Sequence, residues 1–155
     1  KPVGRSGLFD PLRGDGAVTV PEQLPAKSIA ITQVMIDEYA QISGDFNPIH
    51  VDVVKAIESP FGGTIAHGCI PLEPVFQSVQ AWIGADQLPR GTRLRLRYRA
   101  PSRPGDTITA TVELTGTEGG MHTLAFTCHN QKAELVMEGE CDVPASSPAP
   151  EGTNA

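Results

Sequence analysis

The chain of 155 residues is the size of one domain and leaves little room for two. Its formal net charge of −6 argues against a general nucleic-acid binder, although a local basic patch can still receive an anionic ligand. The three cysteines, Cys69, Cys128 and Cys141, form no C-x-x-C pair and are odd in number, which points away from a disulfide framework or zinc cluster and towards a reducing, cytoplasmic setting.

In chain order, residues 1–27 are Gly- and Pro-rich without a period and read as an irregular leader packed on the domain. Ser28–Ile31 is a short strand candidate. Thr32 caps a helix running through Ile42, with Val34, Met35, Tyr39 and Ile42 along one side and Gly44 as its stop. Pro48 forbids helix at Asn47. A short helix from Asp52, its N-cap, to Ile57 ends before Pro60. A second main helix over Pro71–Ile83 carries the stripe Leu72, Val75, Phe76, Val79 and Ile83; Pro74 fits only if the regular helix begins there.

From Arg93 onward the pattern alternates as strands do. Arg93–Arg99 puts Leu94, Leu96 and Tyr98 on one face, and Thr107–Thr115 puts Ile108, Ala110, Val112 and Leu114 on one face. Met121–His129 and Ala133–Val143 follow turn signals at Gly119-Gly120 and Asn130. Four strands in series imply an antiparallel sheet, and the apolar helix must bury its stripe on it: an α+β layer arrangement. The stretch 144–155 is small, polar and Pro-rich and reads as a flexible tail. No apolar run approaches the roughly 18 residues that span a membrane, so no membrane partner is expected.

The informative segment is Ile42-Ser-Gly-Asp-Phe-Asn-Pro-Ile-His-Val-Asp52, followed by Phe61-Gly-Gly-Thr-Ile-Ala-His-Gly68. With the Pro-Ser-Arg-Pro-Gly-Asp turn of Pro101–Asp106, it closely resembles the MaoC-like hydratases, in order, over about residues 25–143. That resemblance implies the hotdog fold, an antiparallel sheet wrapped around one long helix, as a single domain over 28–143. It also implies a dimer with the substrate tunnel near its interface.

The activity implied is reversible hydration of a trans-2-enoyl-CoA to a (R)-3-hydroxyacyl-CoA, with acyl-CoA as the bound partner. CoA arrives as part of the substrate, and no metal or redox cofactor is called for. Hydration needs a base for the water, an acid for the carbon beside the carbonyl, and donors at the thioester oxygen. Asp45 and His50 stand five residues apart around a proline turn, which can bring them together where a strand would hold them well over about 10 Å apart. Alone, Asp45 reads as a turn residue and His50 as a satisfied core histidine. Within the motif the resemblance makes them the acid–base pair that grips the catalytic water. It makes the Gly68 N–H the donor to the thioester carbonyl, where Gly68 alone would read as a tight turn. Asn47 reads as a brace of the turn or a substrate contact, and His67 as bracing or substrate-binding rather than catalytic.

Two features depart from the family pattern. A serine often carried in the central helix is replaced, by ungapped count, by Phe76 with Ser78 nearby, and Pro71 and Pro74 make that helix start unusual. Arg93, Arg95, Arg97 and Arg99 share one face of one strand, which suits a solvated face, a subunit contact with acidic residues, or CoA phosphates. Two rival functions remain. A hotdog acyl-CoA thioesterase would direct water at the carbonyl carbon, but such families lack the Asp-x-Asn-Pro-Ile-His run. An accessory, non-catalytic dehydratase subunit would be expected to have lost the Asp or the His.

Overall fold

The structure, a computed structural model, describes residues 22–145; most of the expected leader (1–21) and tail (146–155) lies outside the described residues. The elements run β1 (Glu22–Gln23), β2 (Lys27–Ala30), α1 (Gln33–Ser43), α2 (Pro48–Val51), α3 (Val53–Glu58), a 3₁₀ turn (Ile70–Leu72), α4 (Glu73–Ile83), β3 (Arg93–Tyr98), β4 (Thr107–Glu118), β5 (Met121–His129) and β6 (Leu135–Pro144). The sheet is antiparallel in the order β1-β4-β5-β6-β3, with β2 also on β4. It is open rather than a closed barrel. β3, the first of the four late strands, pairs with β6 and not with its successor β4.

Gly119 and Gly120 join β4 to β5 with φ of 58° and 75°, the two left-handed residues that a two-residue hairpin turn requires. Inward positions alternate along the sheet, so Ile108, Ala110, Val112, Leu124, Phe126, Cys128, Met137, Cys141 and Val143 are buried. Against them α4 buries Val75 and Val79, with Phe76 and Ile83 packed at the edges. The proline difficulty disappears because Pro71 lies in the 3₁₀ turn and Pro74 is the second residue of α4, where no helical bond is lost.

Three expectations are corrected. Residues 22–27 are not part of an irregular leader: β1 pairs with Glu113–Leu114. At the other end Pro144 closes β6, and the Ala145 N–H donates to the Gly120 carbonyl at 2.8 Å. Finally, α1 is capped at Thr32 and stopped by Gly44 as read, but only half of its expected stripe faces the core. Met35 and Tyr39 pack there beside the buried Ile36 and Ala40, whereas Val34 is 66% and Ile42 84% exposed.

Candidate active site

The Gly44–His50 turn is built by its own polar side chains. Ser43 Oγ accepts from the Asp45 N–H, an Asp45 carboxylate oxygen accepts from Asn47 N–H at 3.1 Å, and Asn47 Oδ1 accepts from Ile49 N–H as the cap of α2. Pro48 opens α2, and two residues later His50 points inward, only 8% exposed. Asp52 then caps α3 through the Lys55 N–H.

His50 is fixed from three directions. Its Nδ1 donates to the Ile65 carbonyl at 2.8 Å, since a carbonyl only accepts. Its own carbonyl accepts from Gln33 Nε2 of α1, whose Oε1 accepts from Thr64 Oγ1. His67 stacks on it with ring centroids 3.9 Å apart, and the Tyr39 ring packs against His67 at 4.8 Å. With the proton on Nδ1, a neutral His50 keeps a bare Nε2, and that atom lies 3.8 Å from Asp45 Oδ2. Asp45 itself is half exposed, so its carboxylate faces both solvent and the ring.

His67 Nε2 donates to the Asp45 backbone carbonyl at 2.9 Å. His67 therefore links the two members of the pair, through a stack on one and a hydrogen bond on the other. Among the described residues Asp45, His50 and His67 could each offer one metal-ligand atom within 4.8 Å of the others. Two of the four imidazole nitrogens already face carbonyls and carry protons.

Gly68 follows at the turn before the 3₁₀ segment. Its N–H has no carbonyl partner among the described residues. A cavity of about 400 Å³ opens between His50, Gly68, Phe61, Pro71, Tyr98 and Pro101, with Arg99 also on its wall. The Pro101–Asp106 turn closes it from the sheet side: the Ala66 N–H donates to the Ser102 carbonyl at 2.7 Å, and Arg103 reaches the Phe61 carbonyl.

Asp45, Asn47 and His50 thus share one turn, His67 is joined to it by the His50 stack and the Asp45 carbonyl, and Gly68, next to His67 in the chain, lines the cavity with His50. Sequence reasoning missed Gln33, Thr64 and the Ile65 carbonyl, which hold His50. A polar side chain in the first turn of α1 was the available signal for Gln33. Ser78, near the displaced serine's position, is fully buried with no hydrogen-bond partner among the described residues, and neither it nor Phe76 lines this cavity. The arginine face is outward: Arg95 pairs with Glu140 and Asp142 at 3.1 and 3.0 Å, and Arg99 pairs with Glu138.

A MaoC-like domain model matches residues 18–136. The chain belongs to the MaoC-like domain family. Among curated relatives it is 34% identical over 124 residues to the (R)-specific enoyl-CoA hydratase of Rhodospirillum rubrum, covering 76% of this chain and 81% of that one. It is 36% identical over 93 residues to 3-hydroxyacyl-thioester dehydratase Z of Mycobacterium tuberculosis, covering 58% of this chain and 62% of the relative. The chain therefore spans less than two thirds of that relative's length. Among solved structures, R-hydratase PhaJ1 from Pseudomonas aeruginosa superposes with a TM-score of 0.69 at 25% identity, over 83% of each chain. The (R)-hydratase from A. caviae superposes with a TM-score of 0.71 over 84% of this chain and 99% of that one; at 24% identity this shows the fold, a hotdog. The named relatives are hydratases and dehydratases.

Proposed function

We propose that this MaoC-like domain hydrates trans-2-enoyl-CoA thioesters reversibly to (R)-3-hydroxyacyl-CoA. The observation that carries the reading is the bare Nε2 of His50, 3.8 Å from Asp45 Oδ2, on the wall of a cavity that Gly68 also lines. A water beside both groups can hydrogen-bond to each. As its oxygen bonds C3, one proton passes to His50 Nε2, and charge moves through C2 onto the thioester oxygen, where Gly68 donates. C2 then takes a proton back through the same pair, so that one water is added in full. His67 and Asn47 hold the pair in register. CoA enters with the substrate, and the reaction calls for no metal or redox group. A homodimer in the cytoplasm fits this reading: β3 leaves one sheet edge open among the described residues, and Phe46, Val53, Val54 and Ile57 leave an apolar surface beside the site.

Asp45→Asn and His50→Gln should each lower hydration by at least about a hundredfold with an unchanged fold, the usual loss for an acid–base group. The assay follows loss of conjugated absorbance with crotonyl-CoA or a longer enoyl-CoA, alongside free thiol. Wild-type turnover in either folded variant would sink the assignment. Thiol release without hydroxyacyl product would favour a thioesterase. No turnover of any enoyl thioester by the wild type would favour an accessory subunit.

A further inference from the structure

Tyr98 ends β3 on the same parity as Leu94 and Leu96, yet it is 54% exposed and adds little to the core. Its ring instead reaches across the cavity to Gly68. A Cβ built on Gly68 would collide with the Tyr98 hydroxyl and stand 2.7 Å from its Cζ. The hydroxyl and the unpartnered Gly68 N–H are thus neighbours on the wall of the cavity that holds His50. Enolate oxygens are best held by more than one preorganised donor, and a single backbone N–H leaves half of that task undone.

We propose that Tyr98 is a further catalytic residue, its hydroxyl donating beside the Gly68 N–H to the thioester oxygen of the substrate. The inference rests on the hydratase reading and extends it to a residue outside the Asp-His motif. Burial, and then the neighbouring Cys69, push the Tyr98 pKa above its ordinary value, so the hydroxyl carries its proton at neutral pH. It also gives Gly68 a reason beyond the turn: any side chain there would displace the hydroxyl. The competing explanation is that the ring is only a spacer over a glycine. Tyr98→Phe separates the two, because it keeps the ring and removes the donor alone.

Tyr98→Phe should melt with the wild type and lose roughly 10²–10³-fold in kcat, the loss seen for one oxyanion donor. KM should change little, since the bond strengthens as charge develops. The second readout is the infrared stretch of a ¹³C-labelled thioester carbonyl in butyryl-CoA, which binds but cannot be hydrated. Bound to the wild type it should fall in frequency, and in Tyr98→Phe part of that fall should be lost. Where Tyr98→Phe fails to fold, Tyr98→3-fluorotyrosine keeps ring and hydroxyl and raises acidity, so the carbonyl shift should grow. A wild-type kcat with an unaltered carbonyl stretch would overturn the proposal. If the wild type binds thioesters but hydrates none, the hydratase reading falls, and the infrared shift still decides whether Tyr98 donates.

Discussion

Replacing Gly68 and Gly139 separately with alanine adds the same methyl group at two crowded points and should cost two different things. At Gly139 the new Cβ would collide with the Arg95 carbonyl and stand 2.8 Å from Leu96 Cα and 2.9 Å from Phe126 Cζ. Two of those obstacles are backbone of β3, which is held on β6 in continuous register from Arg93–Asp142 to Tyr98–Met137. They cannot move without loosening the ladder. The expected cost is about 2–3 kcal/mol, the upper half of the usual overpacking range. For a domain of this size that is a fall in Tm of roughly 4–12 °C. At Gly68 the obstacle is the far end of one half-exposed tyrosine. The ring can swing into solvent, so Tm should move by no more than about 2 °C, while kcat/KM falls by about a hundredfold as the donors are displaced or covered. Thermal unfolding by circular dichroism and the enoyl absorbance assay, run on the same preparations, read both quantities. Gly68→Ala/Tyr98→Phe should be much less harmful than the two losses multiplied, because they remove one function. A Gly139→Ala protein with wild-type Tm, or a Gly68→Ala protein with wild-type kcat/KM, would refute the reasoning at that glycine.

His67→Phe keeps a ring against His50 but deletes the hydrogen bond to the Asp45 carbonyl; kcat should fall by about tenfold, one net hydrogen bond at roughly 1–1.5 kcal/mol, with KM nearly unchanged, and equal loss in both would argue against a positioning role. Burial pushes the Cys128 thiol up to about 12 and the Cys141 thiol up to about 11. An unfolded thiol titrates near pH 8.5, so the folded chain keeps protons that the unfolded one loses. Stability should therefore hold below about pH 8.5 and decline as pH rises towards those folded values, read as the urea midpoint. At pH 8 iodoacetamide should label Cys69, which is exposed, and spare the other two; comparable labelling of Cys128 would contradict its burial. Arg99→Gln should raise KM for CoA substrates by up to about fivefold, the most an exposed charge pair supplies, and leave pantetheine substrates unchanged. Arg93→Gln, Arg95→Gln and Arg97→Gln should do neither, and a CoA-specific rise at any of them would reassign that face to phosphate binding.

Much of the fold was legible because its signals are local. Thr32 and Gly44 bound α1, the paired glycines at 119–120 set a hairpin, and strict alternation in β4 identifies the buried face without knowledge of the partner. The buried side of α1 was legible only in part. Its apolar residues fall on more than one side, and the choice was made by packing of Ile36 and Ala40, with Val34 and Ile42 left outward. Strand order was hidden for a related reason: β3 and β6 are brought together by the fold of the whole sheet, and no turn signal joins them. At the site, the family motifs singled out Asp45, His50 and Gly68. They did not reveal Gln33, Thr64 or the Ile65 carbonyl, because a backbone carbonyl leaves no mark in a sequence and the polar side chains of Gln33 and Thr64 are joined to each other and to His50 only by the fold. Tyr98 was read only as an inward strand position, and nothing local distinguishes a tyrosine over a glycine from one over a core.

The way these segments are joined bears on how such a site tolerates change. Ile65 donates its N–H to the Ile49 carbonyl at 3.0 Å and accepts from the His50 ring, while Ala66 donates to Ser102 at 2.7 Å. The motif turn, the Phe61–Gly68 loop and the Pro101–Asp106 turn are therefore laced together by main-chain groups, which any side chain supplies. The identity of Phe61, Pro71, Ala100 or Pro101 on the cavity wall enters none of those bonds. On the hydratase reading, acyl size would be reset by these positions with the Asp45–His50 geometry intact, whereas Pro48, Asn47 and His67, which belong to the motif turn and its bonds, would not vary without moving the pair. Chemistry and substrate choice would then be carried by different atoms of the same three segments. Substitutions at Phe61 and Pro101 should accordingly change which chain length is preferred, and leave the ratio of hydration to thiol release where it was.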